Sequence, residues 1–405
     1  MGAPGQTPRL LRTWAFILWV GLVFQLLPGC TRSPAPRPAR PKAARAAIPA
    51  PQPSAPPKSA DRAGSEPAQT GDVIVIFWHE GLGRYSLAHV TVPPGGTAVT
   101  HTKIPLSERY GYSGPVATSS ETCLLLGQRQ VDQELEYAAL QWRLGSRELI
   151  QIASPSRAFY ASWGVELNSY SRVSGDALLY PPAPEGFADP PVTWIPGSDH
   201  WRELADAYPR LKGVAKQITT ASYSPDGSLL AVALRHKILA YDLQKGVLKT
   251  LVGPKQYVWS LCISPDNSEI CWLDTGYARA MSEWLEHGQE TVKLDRYKDA
   301  GFGILSLRTN RSRYRRLSQE AGLPAEFTGW VGQPDSKCAF SPDGKRLYFL
   351  SSGLIRLDRS SGHWSTVAGM AGESPPYLSG FAVMPRDEQS DGTPGTGDAS
   401  RTPSP

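Results

Sequence analysis

A four-residue phrase that recurs three times constrains the fold of this 405-residue chain more than any other feature. Ser-Pro-Asp followed by Gly or Asn stands at 224–227, 264–267 and 341–344. Proline presets φ at the second turn position, Asp caps nearby amides, and Gly or Asn accepts the left-handed conformation. Each phrase lies between two apolar runs of strand length, so each predicts the turn of an antiparallel β-hairpin.

The hydrophobic pattern around these turns also predicts their register. A four-residue loop that starts at the proline places apolar residues opposite one another on one face of each hairpin. A three-residue loop would break this agreement. The predicted pairs are Tyr223 with Leu230, Ile263 with Ile270, and Phe340 with Leu347.

A second hairpin follows the first in two of the repeats, at 238–251 and 354–367, which gives four strands in each unit. The first two turn aspartates are 40 residues apart, and the next interval is 77. We assign the longer interval to one enlarged unit, with an insertion at 278–302 and its last strands at 303–308 and 313–317. A period near 40 residues with four strands indicates a β-propeller.

Weaker strand patterns upstream supply the remaining blades, at 72–92, 115–153 and 170–195. Composition agrees, because 12 Trp and 16 Tyr favour strands while 37 Pro and 38 Gly favour turns. We predict an all-β fold over residues 71–385, a propeller of about six four-stranded blades, or seven if the 77-residue interval holds two. One amphipathic helix is expected at 198–212.

The Ser-Pro-Asp-Gly hairpins resemble the propeller repeats of the TolB family, which belongs to the periplasmic Tol-Pal system of bacterial envelopes. The resemblance covers residues 217–370 directly and 71–216 by implication. The separate α/β domain that precedes the propeller in TolB has no recognisable counterpart here. The resemblance therefore implies architecture strongly and function weakly, since one fold serves many functions.

Residues 1–29 have the pattern of an export signal. Two arginines precede an apolar run at 14–27, which is too short for a bilayer span of about 20 residues. The run ends in Leu-Pro-Gly-Cys, which resembles the lipobox of bacterial lipoproteins, although its proline departs from the usual small residue. The resemblance implies that Cys30 becomes an N-terminus carrying fatty acyl chains such as palmitate, and Thr31 favours the outer membrane. A secreted protein cut further along and an uncleaved anchor are the alternatives.

The segment at 30–70 is predicted to be a disordered tether. Ten Pro and eleven Ala at 31–70, with almost no large apolar side chains, cannot offset the entropy of ordering. At about 3.1 Å per residue in a polyproline-like conformation, the tether could reach on the order of 100 Å from a membrane. The tail at 386–405 is rich in Gly, Pro, Ser, Asp and Thr and is also predicted to be disordered.

The net charge of +5 belongs to the N-terminal segment and not to the folded region. Residues 1–70 hold nine basic and two acidic residues, which leaves 33 basic and 35 acidic residues in the rest of the chain. This distribution removes most of the support for a basic nucleic-acid-binding domain over the folded region. The basic tether fits contact with anionic lipid or an anionic cell-wall polymer, or it only keeps the linker solvated.

No catalytic or metal-binding motif is visible. The seven histidines are scattered, Cys-x-x-Cys is absent, and the phrase at 111–114 lacks the spacing of a nucleophile elbow. The turn aspartates are explained by turn geometry. We predict no catalytic residue, no metal site and no cofactor, and convergence of residues across blades is the alternative.

Two groups of residues are candidates for a role outside the turns. Strand alternation places Arg311, Arg313 and Arg315 on one face, where they would contact an anionic partner or protect an outer strand from aggregation. The hairpin register places Cys262 directly opposite Cys271, which predicts either a cross-strand disulfide or two buried free thiols.

These observations predict a non-enzymatic, lipid-anchored β-propeller of the bacterial envelope that binds another envelope protein through one end of its blades. The alternative is a propeller enzyme, or a receptor for a small ligand or polysaccharide, with its site at the mouth of the central channel. Clustered His, Asp and Arg at that mouth would favour the alternative, and an exposed apolar patch would favour the protein partner.

Overall fold

The computed structural model describes the chain in segments between residues 71 and 386. The described residues are 71–81, 84–94, 97–131, 134–152, 156–157, 166–180, 191–196, 198, 201–234, 237–251, 258–274, 301–323, 337–350, 353–368 and 377–386. The predicted signal peptide and tether, the tail beyond residue 386 and most of the predicted insertion lie outside these residues.

Within the described residues, 25 strands form six antiparallel sheets, each with four strands in its main order. The prediction of six four-stranded blades is therefore confirmed. The two-residue strand β8 (Ser156–Arg157) pairs with β6 beside the main order of blade 2. The strands of the six blades are β1 (Asp72–Gly81), β2 (Arg84–Val92), β3 (Val99–Pro105) and β25 (Tyr377–Val383) in blade 1; β4 (Gly111–Ala117), β5 (Thr122–Val131), β6 (Glu134–Arg143) and β7 (Leu149–Gln151) in blade 2; β9 (Glu166–Tyr170), β10 (Ala177–Tyr180), β11 (Val192–Trp194) and β12 (Trp201–Glu203) in blade 3; β13 (Ile218–Tyr223), β14 (Leu229–Leu234), β15 (Lys237–Asp242) and β16 (Val247–Leu251) in blade 4; β17 (Ser260–Ile263), β18 (Glu269–Asp274), β19 (Gly301–Ser306) and β20 (Ser312–Arg316) in blade 5; and β21 (Cys338–Phe340), β22 (Arg346–Leu350), β23 (Leu354–Asp358) and β24 (Trp364–Ala368) in blade 6.

The register of the Ser-Pro-Asp hairpins is the predicted one in all three blades. Each apolar residue before the turn faces its expected partner across the hairpin. The enlarged unit is also confirmed, because the third and fourth strands of blade 5 follow the long interval and pair with β18 and with each other. The confirmed pairs are Tyr223 with Leu230, Ile263 with Ile270, and Phe340 with Leu347.

Buried apolar residues of the described segments form six clusters, and each cluster lies between two neighbouring blades. The cluster between blades 5 and 6, for example, packs Phe302 of β19 against Phe349 and Trp364 of blade 6. Burying a large apolar side chain stabilises the fold by about 1.5–3 kcal/mol. Because each blade supplies one face to each neighbour, the hydrophobic stabilisation holds the blades together as a ring.

The ring is closed by β25, the last of the described strands. β25 pairs antiparallel with β1, so the C-terminal strand becomes the inner strand of blade 1. Gly380 lies so close to the carbonyl of Gly114 in β4 that a Cβ atom would overlap its oxygen. The two ends of the propeller therefore meet within one sheet.

The prediction of an amphipathic helix at 198–212 was wrong in most of its length. Trp201–Glu203 forms strand β12 and pairs with β11, and only Leu204–Ala207 forms an α-helix, α1. A 3₁₀ turn at Pro209–Leu211 follows. Stacking of Trp201 on Trp194 commits the first residues to the sheet, and Pro209 cannot continue a helix.

Among the described residues, no helix has the length and apolar character needed to cross a membrane.

Candidate functional site

The inner strands of all six blades surround a central cavity of about 840 Å³. The cavity is lined by residues of β4, β9, β13, β17, β21 and β25, represented by Val116, Ser169, Ser222, Cys262, Ala339 and Ala382.

Serine hydroxyls link neighbouring inner strands around the cavity. The Oγ atom of Ser113 accepts the backbone N–H of Leu167 at 2.8 Å, from blade 2 to blade 3. Ser169 in turn accepts the N–H of Tyr223 in blade 4 at 3.1 Å. Since inner strands of different blades share no sheet hydrogen bonds, these hydroxyls satisfy amides that would otherwise be unpaired at the wall.

A lysine crosses the cavity between opposite blades. The ammonium group of Lys337, which directly precedes β21 in blade 6, donates to the carbonyl oxygen of Leu167 in blade 3 at 3.4 Å. Both residues lie near the start of their inner strands. Lys337 thus places one positive charge at this end of the cavity.

The opposite end of the cavity is its mouth at the Ser-Pro-Asp turns. Pro225, Pro265 and Pro342 line it together with Arg172, Asp226 and Arg386. The neighbouring Val173 lies against Gly227 and is 67% exposed, an unusual exposure for a valine. We call the surface formed by Arg172, Val173, Arg386 and the three turn prolines the turn-side mouth.

The turn aspartates have a structural role. In each turn a buried serine donates to the Asp carboxylate, at 2.6 Å for Ser264 with Asp266. Partial burial would raise the pKa of Asp226, but hydrogen bonds from Ser224 and Ser228 outweigh it and hold that pKa below its ordinary value. An ionised, fully engaged carboxylate is a poor general acid at neutral pH, which supports the structural interpretation.

The predicted arginine group lies at the outer edge of blade 5. Arg313 and Arg315 occupy the outermost strand, β20, and Arg311 lies in the turn before it, and all three are exposed. The guanidinium of Arg315 pairs with Glu320 and lies 5.5 Å above the ring of Phe302. Arg315 is therefore engaged within blade 5, and contact of this group with an anionic partner stays a prediction.

Three thiols converge between blades 5 and 6. Cys262 and Cys271 lie directly opposite each other on β17 and β18, as predicted, and Cys338 of β21 joins them from blade 6. Their sulfur atoms all lie within 4.8 Å of one another. The described cysteines are free thiols in this structure, and oxidation of the Cys262–Cys271 pair stays a prediction.

Convergence of Cys338 on the other two thiols was not predicted, although the repeat contains a signal for it. Cys338 is three residues before its turn serine, whereas Cys262 is two residues before its own. Alternate residues of a strand face opposite sides, so these two positions face opposite neighbouring blades. Cys262 of blade 5 faces blade 6, and Cys338 of blade 6 faces blade 5, so both thiols lie at the interface between these two blades.

Other candidate residues are separated or undescribed. His79, His89 and His101 lie in blade 1 and His363 in blade 6, and none of the described residues that line the cavity is a histidine. The remaining histidines and Cys30, the predicted lipidation site, lie outside the described residues.

The described residues define a six-bladed β-propeller with a central cavity lined by the inner strands. The chain is similar to TolB from Acinetobacter baumannii, with 14% identity, a TM-score of 0.50, and coverage of 79% of this chain and 68% of that one. A structure described as TolB from Agrobacterium tumefaciens matches with 12% identity, a TM-score of 0.40, and coverage of 78% and 99%. The similarity to the Acinetobacter protein confirms the predicted resemblance to TolB for the fold.

Sequence comparisons add no closer relationship. No protein-family model matches the chain, and no curated protein matches it. At 14% identity, the similarity to TolB defines architecture alone. The function must therefore be argued from the residues of this chain.

Proposed function

We propose that this protein is a lipid-anchored β-propeller of the bacterial envelope that binds another envelope protein, without catalysis, at the turn-side mouth. The observation that carries the proposal is the composition of that surface. An exposed valine, three prolines and Arg172 form a rim of mixed character at one end of the central cavity, where Arg386 also lies while it pairs with Asp72 at 3.6 Å. Such a rim suits a partner segment that presents an apolar side chain next to a carboxylate.

The proposed anchor places this surface at a distance from the membrane. Acylation of Cys30 would hold the chain at the bilayer through two or three acyl chains, each methylene contributing about 0.8 kcal/mol. The tether at 30–70 then gives the propeller reach toward partners in the envelope, with the outer membrane favoured by Thr31. Its arginines and lysines would add contact with anionic polymer.

Crosslinking in intact cells tests the proposal. The native protein, captured from detergent and analysed by mass spectrometry, should carry one specific envelope protein, and Cys30→Ala should lose it. Val173→Asp should also lose it, because a carboxylate replaces the apolar contact at the mouth. Val247→Asp is the matched control, since Val247 is 49% exposed on the outer strand of blade 4. Equal capture by the native protein and Val173→Asp would overturn the proposed surface.

The receptor alternative is supported by the cavity itself. A volume of about 840 Å³ lies within the range of about 300–1,000 Å³ that is usual for small-ligand sites. Lys337 and the inner-strand serines would supply the polar contacts. A thermal-shift screen of sugars and small anions on native protein and Lys337→Met tests it, and a ligand that stabilises only the native protein would support this alternative.

A further inference from the structure

We propose that Cys262, Cys271 and Cys338 form a three-thiolate site for a soft monovalent metal ion, copper(I), between blades 5 and 6. The three sulfur atoms lie within 4.8 Å of one another. Sulfurs around one metal at a bond length of about 2.3 Å are about 4 Å apart in a trigonal arrangement. The set therefore needs a contraction of less than about 1 Å to bind an ion.

The donor atoms favour copper(I) over zinc. Among the described residues no imidazole or carboxylate joins the three thiols. The oxygens in contact with the Cys338 sulfur are the hydroxyl of Ser260 at 3.8 Å and the carbonyl of Cys271 at 3.9 Å. Zinc sites are closed by four ligands, whereas soft sulfur donors in a smaller set suit copper(I).

The three sulfurs would bind the ion as thiolates. Binding therefore releases the thiol protons to solvent.

The location combines an entrance with an apolar enclosure. Cys262 and Cys338 line the central cavity, so an ion can arrive from the channel. Behind them the thiols pack in the apolar cluster that contains Leu273 and Phe302. A bound ion would link β17, β18 and β21, and it would stabilise the contact between two blades. This site does not depend on the proposed partner surface.

Titration of the full chain with copper(I) under anaerobic, phosphine-reduced conditions, against a chromogenic copper(I) chelator, tests the proposal. We expect one tightly bound ion in the native protein. Cys262→Ser, Cys271→Ser and Cys338→Ser should each weaken binding by about 100-fold or more. Cys123→Ser is the matched control, because Cys123 is a buried thiol in blade 2, and it should bind as tightly as the native protein.

X-ray absorption of the loaded native protein provides a readout that does not depend on the folding of any variant. We expect three sulfur neighbours at about 2.3 Å and a rise of several degrees in the thermal midpoint. Two sulfurs, nitrogen or oxygen neighbours, or binding unchanged in all three variants would overturn the proposal. A Cys262–Cys271 disulfide in protein alkylated directly in cells would overturn it as well, since two ligands would then be absent.

Discussion

At the scale of single residues, the contact between the first and the last blade depends on one buried acid. Asp72 has no exposed surface, and its Oδ2 atom accepts from the Arg346 guanidinium at 2.7 Å and from the Tyr348 hydroxyl at 2.6 Å. Arg386 lies 3.6 Å from its other oxygen. The charge of Asp72 is thereby compensated by blade 6 and by the end of the chain.

Replacing Asp72→Asn should destabilise the propeller by about 3–5 kcal/mol, because it removes the nearer counter-charge of the buried Arg346 guanidinium, at 2.7 Å, and leaves Asp343 at 3.9 Å. Urea unfolding followed by fluorescence measures the loss. Glu121→Gln is the control, since the Glu121–Arg143 pair at 2.8 Å is largely exposed and should contribute little. Equal stability of the two variants would contradict this role for Asp72.

A histidine in blade 1 should make stability sensitive to mild acid. Burial, and then the neighbouring His101 ring at 4.9 Å, lower the pKa of His89 below its ordinary value. Protonation therefore favours the unfolded chain, so stability is complete above about pH 6.5 and falls as the pH drops toward the folded pKa. In urea titrations between pH 7 and 5, His89→Leu should reduce this fall. His363→Leu is the control, because it removes an exposed imidazole in blade 6. This variant should lose stability toward pH 5 as the native protein does.

At the scale of elements, the Ser-Pro-Asp turns show why one phrase produces one hairpin. Each turn is closed by a backbone hydrogen bond from its fourth residue to the serine carbonyl, at 2.9 Å for Gly344 to Ser341. The serine hydroxyl then accepts the first amide of the next strand, at 2.9 Å from Arg346. The fourth residue has positive φ in all three turns, 73° at Gly227, 55° at Asn267 and 68° at Gly344. The register is therefore fixed by contacts within six residues.

Gly344→Ala should destabilise the protein by about 1–2 kcal/mol, because an alanine Cβ is strained at a φ of 68°. Space is not the reason, since the nearest heavy atom to such a Cβ is 3.8 Å away. Gly213→Ala is the control, because that glycine has open space and no positive φ, and it should be neutral or slightly stabilising. Thermal unfolding of both variants measures the difference, and equal midpoints would contradict the turn argument.

At the scale of the whole molecule, the ring depends on pairing between the two ends of the folded region. β25 supplies the inner strand of blade 1 and contributes Leu378 and Phe381 to the apolar cluster between blades 6 and 1. Met384, just beyond it, packs between blades 1 and 2. Without β25, one edge of β1 and parts of two clusters would face water.

A chain that ends at residue 376 should therefore fail to fold cooperatively. We expect weak near-ultraviolet circular dichroism and a broad thermal transition, because an unpaired inner edge and exposed apolar residues remain. A chain that ends at Arg386 is the control, since it keeps β25 and the contact of Arg386 with Asp72, and it should unfold as the full chain does. Cooperative folding of the shorter chain would show that closure is dispensable.

Several features of this fold could be predicted from the sequence because they depend on local chemistry. Turn residues and strand alternation determined the three hairpin registers, the assignment of the long interval to one blade, and the juxtaposition of Cys262 and Cys271. The prediction of a helix at 198–212 was wrong because Trp201 stacks on Trp194 of the neighbouring strand. Local hydrophobic periodicity carries no information about such a contact. The sequence alone thus determined the repeat and its period, whereas the choice between six and seven blades was made by the strand pairing of the structure.

The candidate sites were decided by the tertiary structure. Asp72 meets Arg346 across 274 positions of the chain, and Cys338 reaches the other two thiols only because blades 5 and 6 pack face to face. The turn-side mouth likewise exists only when six inner strands end at one rim. The contacts that form a hairpin act between residues a few positions apart, so the sequence predicts them. These sites instead require strands that are distant in the chain to share one apolar interface or one central cavity.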